Sequence, residues 1–189
     1  QSTSYLMSLS WDRKKKWGMA FLDISTGDFF VTELEDIPPY MNILSEISRN
    51  APSECLAGPG LPAKIYDLIS ENGIPVTKYE GYLSDYDAAA KLLTDHLGVA
   101  TLEGYGCGDK NYAVIAAGSA LMYAKETQMS GLFHINRLSF RNPANYMILD
   151  NITLRNLEIL KNIRDGKGGP DLFSAMNSTK TPMGRRLLQ

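Results

Sequence analysis

The chain has 189 residues, of which 44% are apolar, 21% charged and 10% aromatic, enough for one globular domain and an appendage. No apolar run approaches the roughly 20 residues of a membrane span, and Gln1-Ser2-Thr3-Ser4 lacks both an initiating Met and a signal-peptide layout, so a cytoplasmic piece excised from something longer is expected. The net charge of −2 argues against a freestanding nucleic-acid binder.

Tyr5 to Trp11 alternates around Leu6, Ser8 and Ser10 and reads as a strand. Arg13-Lys14-Lys15-Lys16 follows, and its place between two strands makes it a solvated hairpin tip rather than a phosphate site. Trp17 to Ile24 is the second strand, with Phe21 and Leu22 facing opposite sides. Ser25-Thr26-Gly27 turns the chain, and Phe29 to Leu34 returns as a third strand, so the three form an antiparallel meander.

The period then changes. Pro38-Pro39 can open a helix bearing Met41, Ile43, Leu44 and Ile47, because proline at the first helical position lacks an N–H that would have no partner anyway. Glu54 to Ala57 is a short strand closed by Gly58-Pro59-Gly60. Ile65, Leu68 and Ile69 mark a helix stopped at Gly73, and Pro75 to Tyr79 gives another strand. Ser84-Asp85-Tyr86-Asp87 has the Ser-x-x-acid form of a helix start, with Ala88, Leu92, Leu93 and Leu97 beneath it and Gly98 after it. On the same helix Asp87, Lys91 and Asp95 lie at i, i+4 and i+8 and form a polar stripe.

After Gly104-Tyr105-Gly106-Cys107-Gly108, Asn111 can cap a long helix to about Gln128. Its Ala113, Ala116, Ala117, Gly118, Ala120 and Ala124 let a backbone lie close to a sheet or another helix. Residues 131–145 lose periodicity and read as a linker crossing a surface. Tyr146 to Leu149 reads as a strand, and Asp150 caps a helix from Ile152 to about Ile163 that Gly166 to Pro170 breaks. Leu172, Phe173 and Met176 restart it, and Thr181-Pro182 supplies a second N-cap with a first-position proline. Charge divides the chain similarly. Residues 1–133 carry 10 basic against 17 acidic side chains, whereas residues 134–189 carry 9 against 4, so the two regions have different neighbours.

Chemistry is hard to place on this pattern. Cys55 and Cys107 form neither a CxxC nor a Cys/His cluster, which argues against zinc and against a disulfide framework, and Cys55 reads as a small buried hydrophobe. Gly104-Tyr105-Gly106 precedes a helix, but Asp109 stands where GxGxxG needs its third glycine, and no Gly-Lys-Ser/Thr occurs anywhere. His96 and His134 lack the partners of a catalytic triad, and His96 falls at a helix end where the dipole favours it.

A strand meander followed by αβαβ resembles the ribonuclease H-like arrangement, whose nucleases hold two divalent ions between strand-borne carboxylates. Asp23 ends the second strand, and Asp85, Asp87 or Asp109 would have to supply later acids. That site also draws an acid from the first strand, and Leu6 to Ser10 offers none. Asp23 is therefore expected to accept backbone N–H bonds in its turn. A metal-dependent nuclease stands as the alternative.

Five segments carry a family resemblance, in order. Leu22 to Phe29 (LDISTGDF) resembles the strand–turn–strand signature opening the MutS connector domain. Leu97 to Gly106 (LGVATLEGYG) looks like that family's helix-to-loop segment. Ala116-Ala117-Gly118 with Tyr123 to Gln128 (YAKETQ) is similar to its long connector helix. Leu149 to Glu158 (LDNITLRNLE) and Thr179 to Leu188 (TKTPMGRRLL) resemble the entry to its core domain and the next helix. The likeness runs from about residue 5 to the end.

The resemblance implies an α/β fold: a ribonuclease H-like mixed sheet with flanking helices over residues 1–130, a linker at 131–145, and the start of an all-α core at 146–189. It implies a non-catalytic connector of a DNA mismatch repair ATPase, coupling mismatch recognition to the core and offering a surface to MutL. No catalytic, cofactor or metal residue is assigned. ATP and magnesium belong to an ATPase domain outside this sequence, and mismatched duplex DNA and homodimerisation belong to the intact parent. Asp87, Lys91 and Asp95 are the candidate partner surface. Arg155, Arg164, Arg185 and Arg186 could approach DNA phosphates or pair with acids of the core. A relative acting in recombination rather than mismatch recognition shares this connector and stands as a further alternative.

Overall fold

The computed structural model describes residues 4–128, 131–143, 157, 172–181 and 184. Chain contacts divide the molecule into one unit, Gln1–Tyr146, and a second, Met147–Gln189.

The first unit is built on a six-stranded sheet in the order β5-β4-β1-β2-β3-β6. β1 (Leu6–Trp11), β2 (Lys16–Leu22) and β3 (Phe29–Glu35) form the expected antiparallel meander, with Leu6 opposite Leu22 and Phe21 opposite Phe30. β4 (Glu54–Ala57) and β5 (Val76–Lys78) lie parallel to β1 on one side, as their intervening helices require. The basic hairpin tip is exposed, and Asp12 closes it by accepting from the N–H groups of Lys14 and Lys16 at 2.7 and 3.0 Å.

Strand alternation sends side chains to two different cores. On one face Met7, Leu9, Trp17, Met19, Phe21 and Phe30 pack with Ile43 and Ile47 of α1 (Met41–Asn50) and Ile65 and Ile69 of α2 (Ala63–Glu71). On the other, Leu6, Ala20, Leu22, Val31 and Leu56 pack with α3 (Tyr86–Leu97) and α4 (Asn111–Thr127). The first core is filled by large side chains. The second is filled by backbone brought close through small ones, as the composition of α4 predicts: Ala113, Ala116, Ala117, Ala120 and Ala124 are all fully buried.

Two glycines measure that closeness. A Cβ on Gly18 of β2 would stand 2.0 Å from the Tyr112 carbonyl carbon, and one on Gly118 would stand 2.7 Å from the Ala89 Cβ of α3. α4 is therefore sandwiched between the sheet and α3.

The helix starts differ from expectation. α1 begins at Met41, after Tyr40 rather than on Pro38-Pro39, and Asp36 serves it from upstream by accepting the Ile43 N–H at 2.9 Å. α3 is capped by Asp85 and not by Ser84, since Asp85 has the extended backbone of a cap and accepts from Ala88 N–H at 2.9 Å. α4 has no side-chain cap of its own: Glu33 on β3 accepts from the Tyr112 and Ala113 N–H groups at 2.9 and 3.2 Å. A buried helix start reaches for whatever acceptor the tertiary fold provides.

Residues 131–143 are not a free surface crossing. Leu132, Ile135 and Leu138 are buried in the α3/α4 core, and β6 (Ser139–Phe140) extends the sheet parallel to β3. Gly104-Tyr105-Gly106 lies in a 3-10 turn, Glu103–Tyr105, ending on left-handed Gly106. In the second unit, α5 (Leu172–Met176) covers the restart at Leu172, and Thr181 accepts from Gly184 N–H at 3.1 Å, the bond of an N-cap. The strand expected at 146–149, the helix at 152–163 and the break at 166–170 fall outside the described residues, apart from Leu157.

Candidate functional site

α3 is the element on which the sequence places partner contacts, and its two sides differ sharply. Its inner side, Ala89 and Leu93, is fully buried against α4, and Gly98 ends it in the left-handed conformation that glycine tolerates. Packing fixes its rotation and leaves Asp87, Lys91 and Asp95 exposed on the outer side. Among the described residues, none of the three makes a salt bridge or a side-chain hydrogen bond.

The C-terminal end of α3 is tied to the segment after α4. The His96 ring Nε2 lies 2.8 Å from the Ile135 carbonyl. Burial and the nearby Lys125 hold that imidazole below its ordinary pKa, so Nε2 donates from the neutral ring. His134 makes the matching tie on the other side, 2.6 Å from the Ile24 carbonyl. Both histidines are structural clamps, as the missing triad partners imply. Between these ties the turn projects Phe133 into solvent, and a groove of 550 Å³ runs from Phe133 past His96 and Lys125 to Asp95.

The carboxylate that a nuclease would need is otherwise engaged. Asp23 Oδ1 accepts from the Ser25 N–H and hydroxyl at 2.8 and 2.6 Å and from Thr26 N–H at 3.2 Å. Burial would raise its pKa, but these bonds outweigh burial and hold the carboxyl below its usual value. Its place on β1 is taken by Ser8, buried beneath Tyr82, which donates to the Leu9 carbonyl. Asp85 caps α3, Asp87 faces solvent and Asp109 pairs with Lys110. Among the described residues no three His, Cys, Asp or Glu side chains gather where a metal could bind.

Cys55 and Cys107 are free, buried thiols, and burial raises the pKa of both, Cys107 to about 11. Such thiols are inert packing groups. A second concavity, 720 Å³, lies where β4 and β5 end, between Gly58-Pro59-Gly60, Tyr66 and Tyr79. Arg155, Arg164, Arg185 and Arg186 lie outside the described residues. Three residues escaped sequence reasoning: Glu33 and Asp36, which cap helices distant in sequence, and Phe133, whose exposure only packing reveals.

Comparison with known proteins was made on this geometry. The model of MutS domain II matches residues 4–136 and that of MutS domain III matches residues 152–189. The chain is 42% identical over 190 residues to the DNA mismatch repair protein MutS of Methanococcoides burtonii, covering all of this chain and 21% of that protein. It is 43% identical over 177 residues to that of Methanosarcina barkeri, covering 91% of this chain and 19% of that protein. The MutS of Symbiobacterium thermophilum is 36% identical over 191 residues, covering all of this chain and 22% of that protein. The chain thus spans about a fifth of the length of the curated relatives it matches.

Proposed function

The chain belongs to the MutS family of DNA mismatch repair proteins, and from that membership we propose that it works as a non-catalytic connector, coupling mismatch recognition to the core and ATPase of its parent. The observation that carries this reading is the succession on one chain of family domain II and then domain III. The connector occupies residues 1–130 together with the packed segment 131–143, and the helical core begins at 146. An antiparallel meander followed by two strands parallel to β1 supports a ribonuclease H-like reading of the sheet. The nuclease chemistry of that fold has no support here, because Asp23 is held by its own turn and β1 carries serines.

The exposed face of α3 is the partner surface in this reading, with MutL as the partner and Asp87, Lys91 and Asp95 as its contacts. In the parent, ATP with magnesium, mismatched duplex DNA and a second protomer engage regions outside this chain. Arg155, Arg164, Arg185 and Arg186 are candidates for phosphate contact, and an acid of the core is the other candidate partner for each. The name shared by the relatives favours mismatch repair over recombination. No helix of the described residues is long and apolar enough to cross a membrane, and the free cysteines suit a cytoplasmic setting.

In the whole parent protein, Lys91→Glu is expected to lower MutL recruitment while preference for mismatched over matched duplex is unchanged. Loss of mismatch preference with MutL recruitment intact would assign α3 to DNA recognition instead.

A further inference from the structure

We propose that Phe133 is the apolar anchor of the docking face that begins on α3, and that the partner meets it with a hydrophobic socket beside a cation–acid–cation row. The inference rests on the reading of α3 as a partner surface and deepens it.

Phe133 is 90% exposed, against 62% for Ile37, the next most exposed large apolar side chain described in its unit. Leaving such a ring in water forgoes roughly 1.5–3 kcal/mol of burial. A slack loop would explain this, but the turn is not slack. Leu132 and Ile135, on either side, are buried in the α3/α4 core, and Ile135 N–H closes the turn on the Leu132 carbonyl at 3.0 Å. His134 is tied to Ile24, and Ile135 is tied to His96.

The ring also has a seat. A Cβ on Gly131 would stand 2.3 Å from the Phe133 Cε2, so only glycine leaves room for the ring where it lies. With flanking side chains buried inward and both sides of the turn held, the backbone directs Phe133 outward. An aromatic fixed in advance loses little conformational freedom when a partner covers it, which is the property of an interface anchor.

The groove identifies what covers it. It joins Phe133 to Asp95, the last residue of the α3 stripe. Along α3 the order acid, cation, acid repeats every four residues, a rise of about 6 Å per step. A partner surface answers with cation, acid and cation at that spacing and an apolar socket next to the cation facing Asp95. The two outer acids repel a phosphate backbone, so this face fits a protein and not nucleic acid.

The test titrates purified MutL against the unaltered chain and the variants Phe133→Ala, Gly131→Ala and Lys91→Glu, with thermal melting of each as a folding control. Phe133→Ala is expected to weaken binding by about tenfold or more with an unchanged melt. Gly131→Ala is expected to weaken it by displacing the ring, and Lys91→Glu by inverting the row. If Lys91→Glu weakens binding while Phe133→Ala binds like the unaltered chain, the anchor is refuted and the α3 reading survives. If Phe133→Ala alone weakens it, the charged row is refuted. If the unaltered chain does not bind MutL, or no variant matters, both readings fail together.

Discussion

The turn after β2 and the outer face of α3 both carry charged side chains, but the first consumes its charge internally and the second presents it. Asp23 is 1% exposed and spends one oxygen on three hydrogen bonds within its own turn. Asp87, Lys91 and Asp95 are exposed and make no ion pair among the described residues. The contrast extends to shape. Glu33 and Gly18 are committed to seating α4, whereas Phe133, although held as firmly, touches solvent. Groups the fold uses for itself explain stability, and rigid groups it leaves unused point to something outside the chain.

Substitutions that separate stability from binding can break this contrast. The largest expected effect is from Gly18→Ala, whose methyl would strike the Tyr112 backbone and force α4 off the sheet; about 3 kcal/mol or more should be lost in denaturant unfolding. Glu33→Ala removes the acceptor for two N–H groups at the start of α4 and should lower stability by about 1–2 kcal/mol, with MutL binding per folded molecule unchanged.

Two groups make stability depend on pH. The folded state lowers the carboxyl pKa of Asp23 below its ordinary 3.8, so its contribution is full above that value and is lost as pH falls through the folded one. The folded state also lowers the His96 pKa below 6.5, because burial and Lys125 disfavour the imidazolium. The unfolded chain then binds the extra proton, and stability declines as pH drops below 6.5. Melting curves of His96→Gln should lack that decline, and a parent-like pH profile in the variant would contradict the assignment. The smallest effect belongs to Phe133→Ala, which should change unfolding free energy by no more than about 0.5 kcal/mol; a larger loss would mean the ring supports the fold.

How much was legible in the sequence follows from the range of each signal. The meander, β4, β5 and the buried nature of α4 are written in short-range periodicity and in runs of small residues, and the structure agrees with them. The polar stripe was legible for the same reason, since four-residue spacing on one helix fixes a face. Helix starts were less so. Asp36 and Glu33 supply acceptors from seven and about eighty residues away, which no local capping pattern records. The segment 131–143 was misread as a linker because Leu132, Ile135 and Leu138 enter the core from irregular backbone, and β6 is two residues long. Phe133 was invisible because a lone aromatic in a polar stretch has the same sequence signature buried or exposed.

The central claim is that α3 faces a partner. Equilibrium titration of the chain with purified MutL, comparing Lys91 with Lys91→Glu at matched thermal stability, tests it most directly. The account predicts clearly weaker binding by Lys91→Glu with an unchanged melt, and equal affinity for the two chains would contradict it.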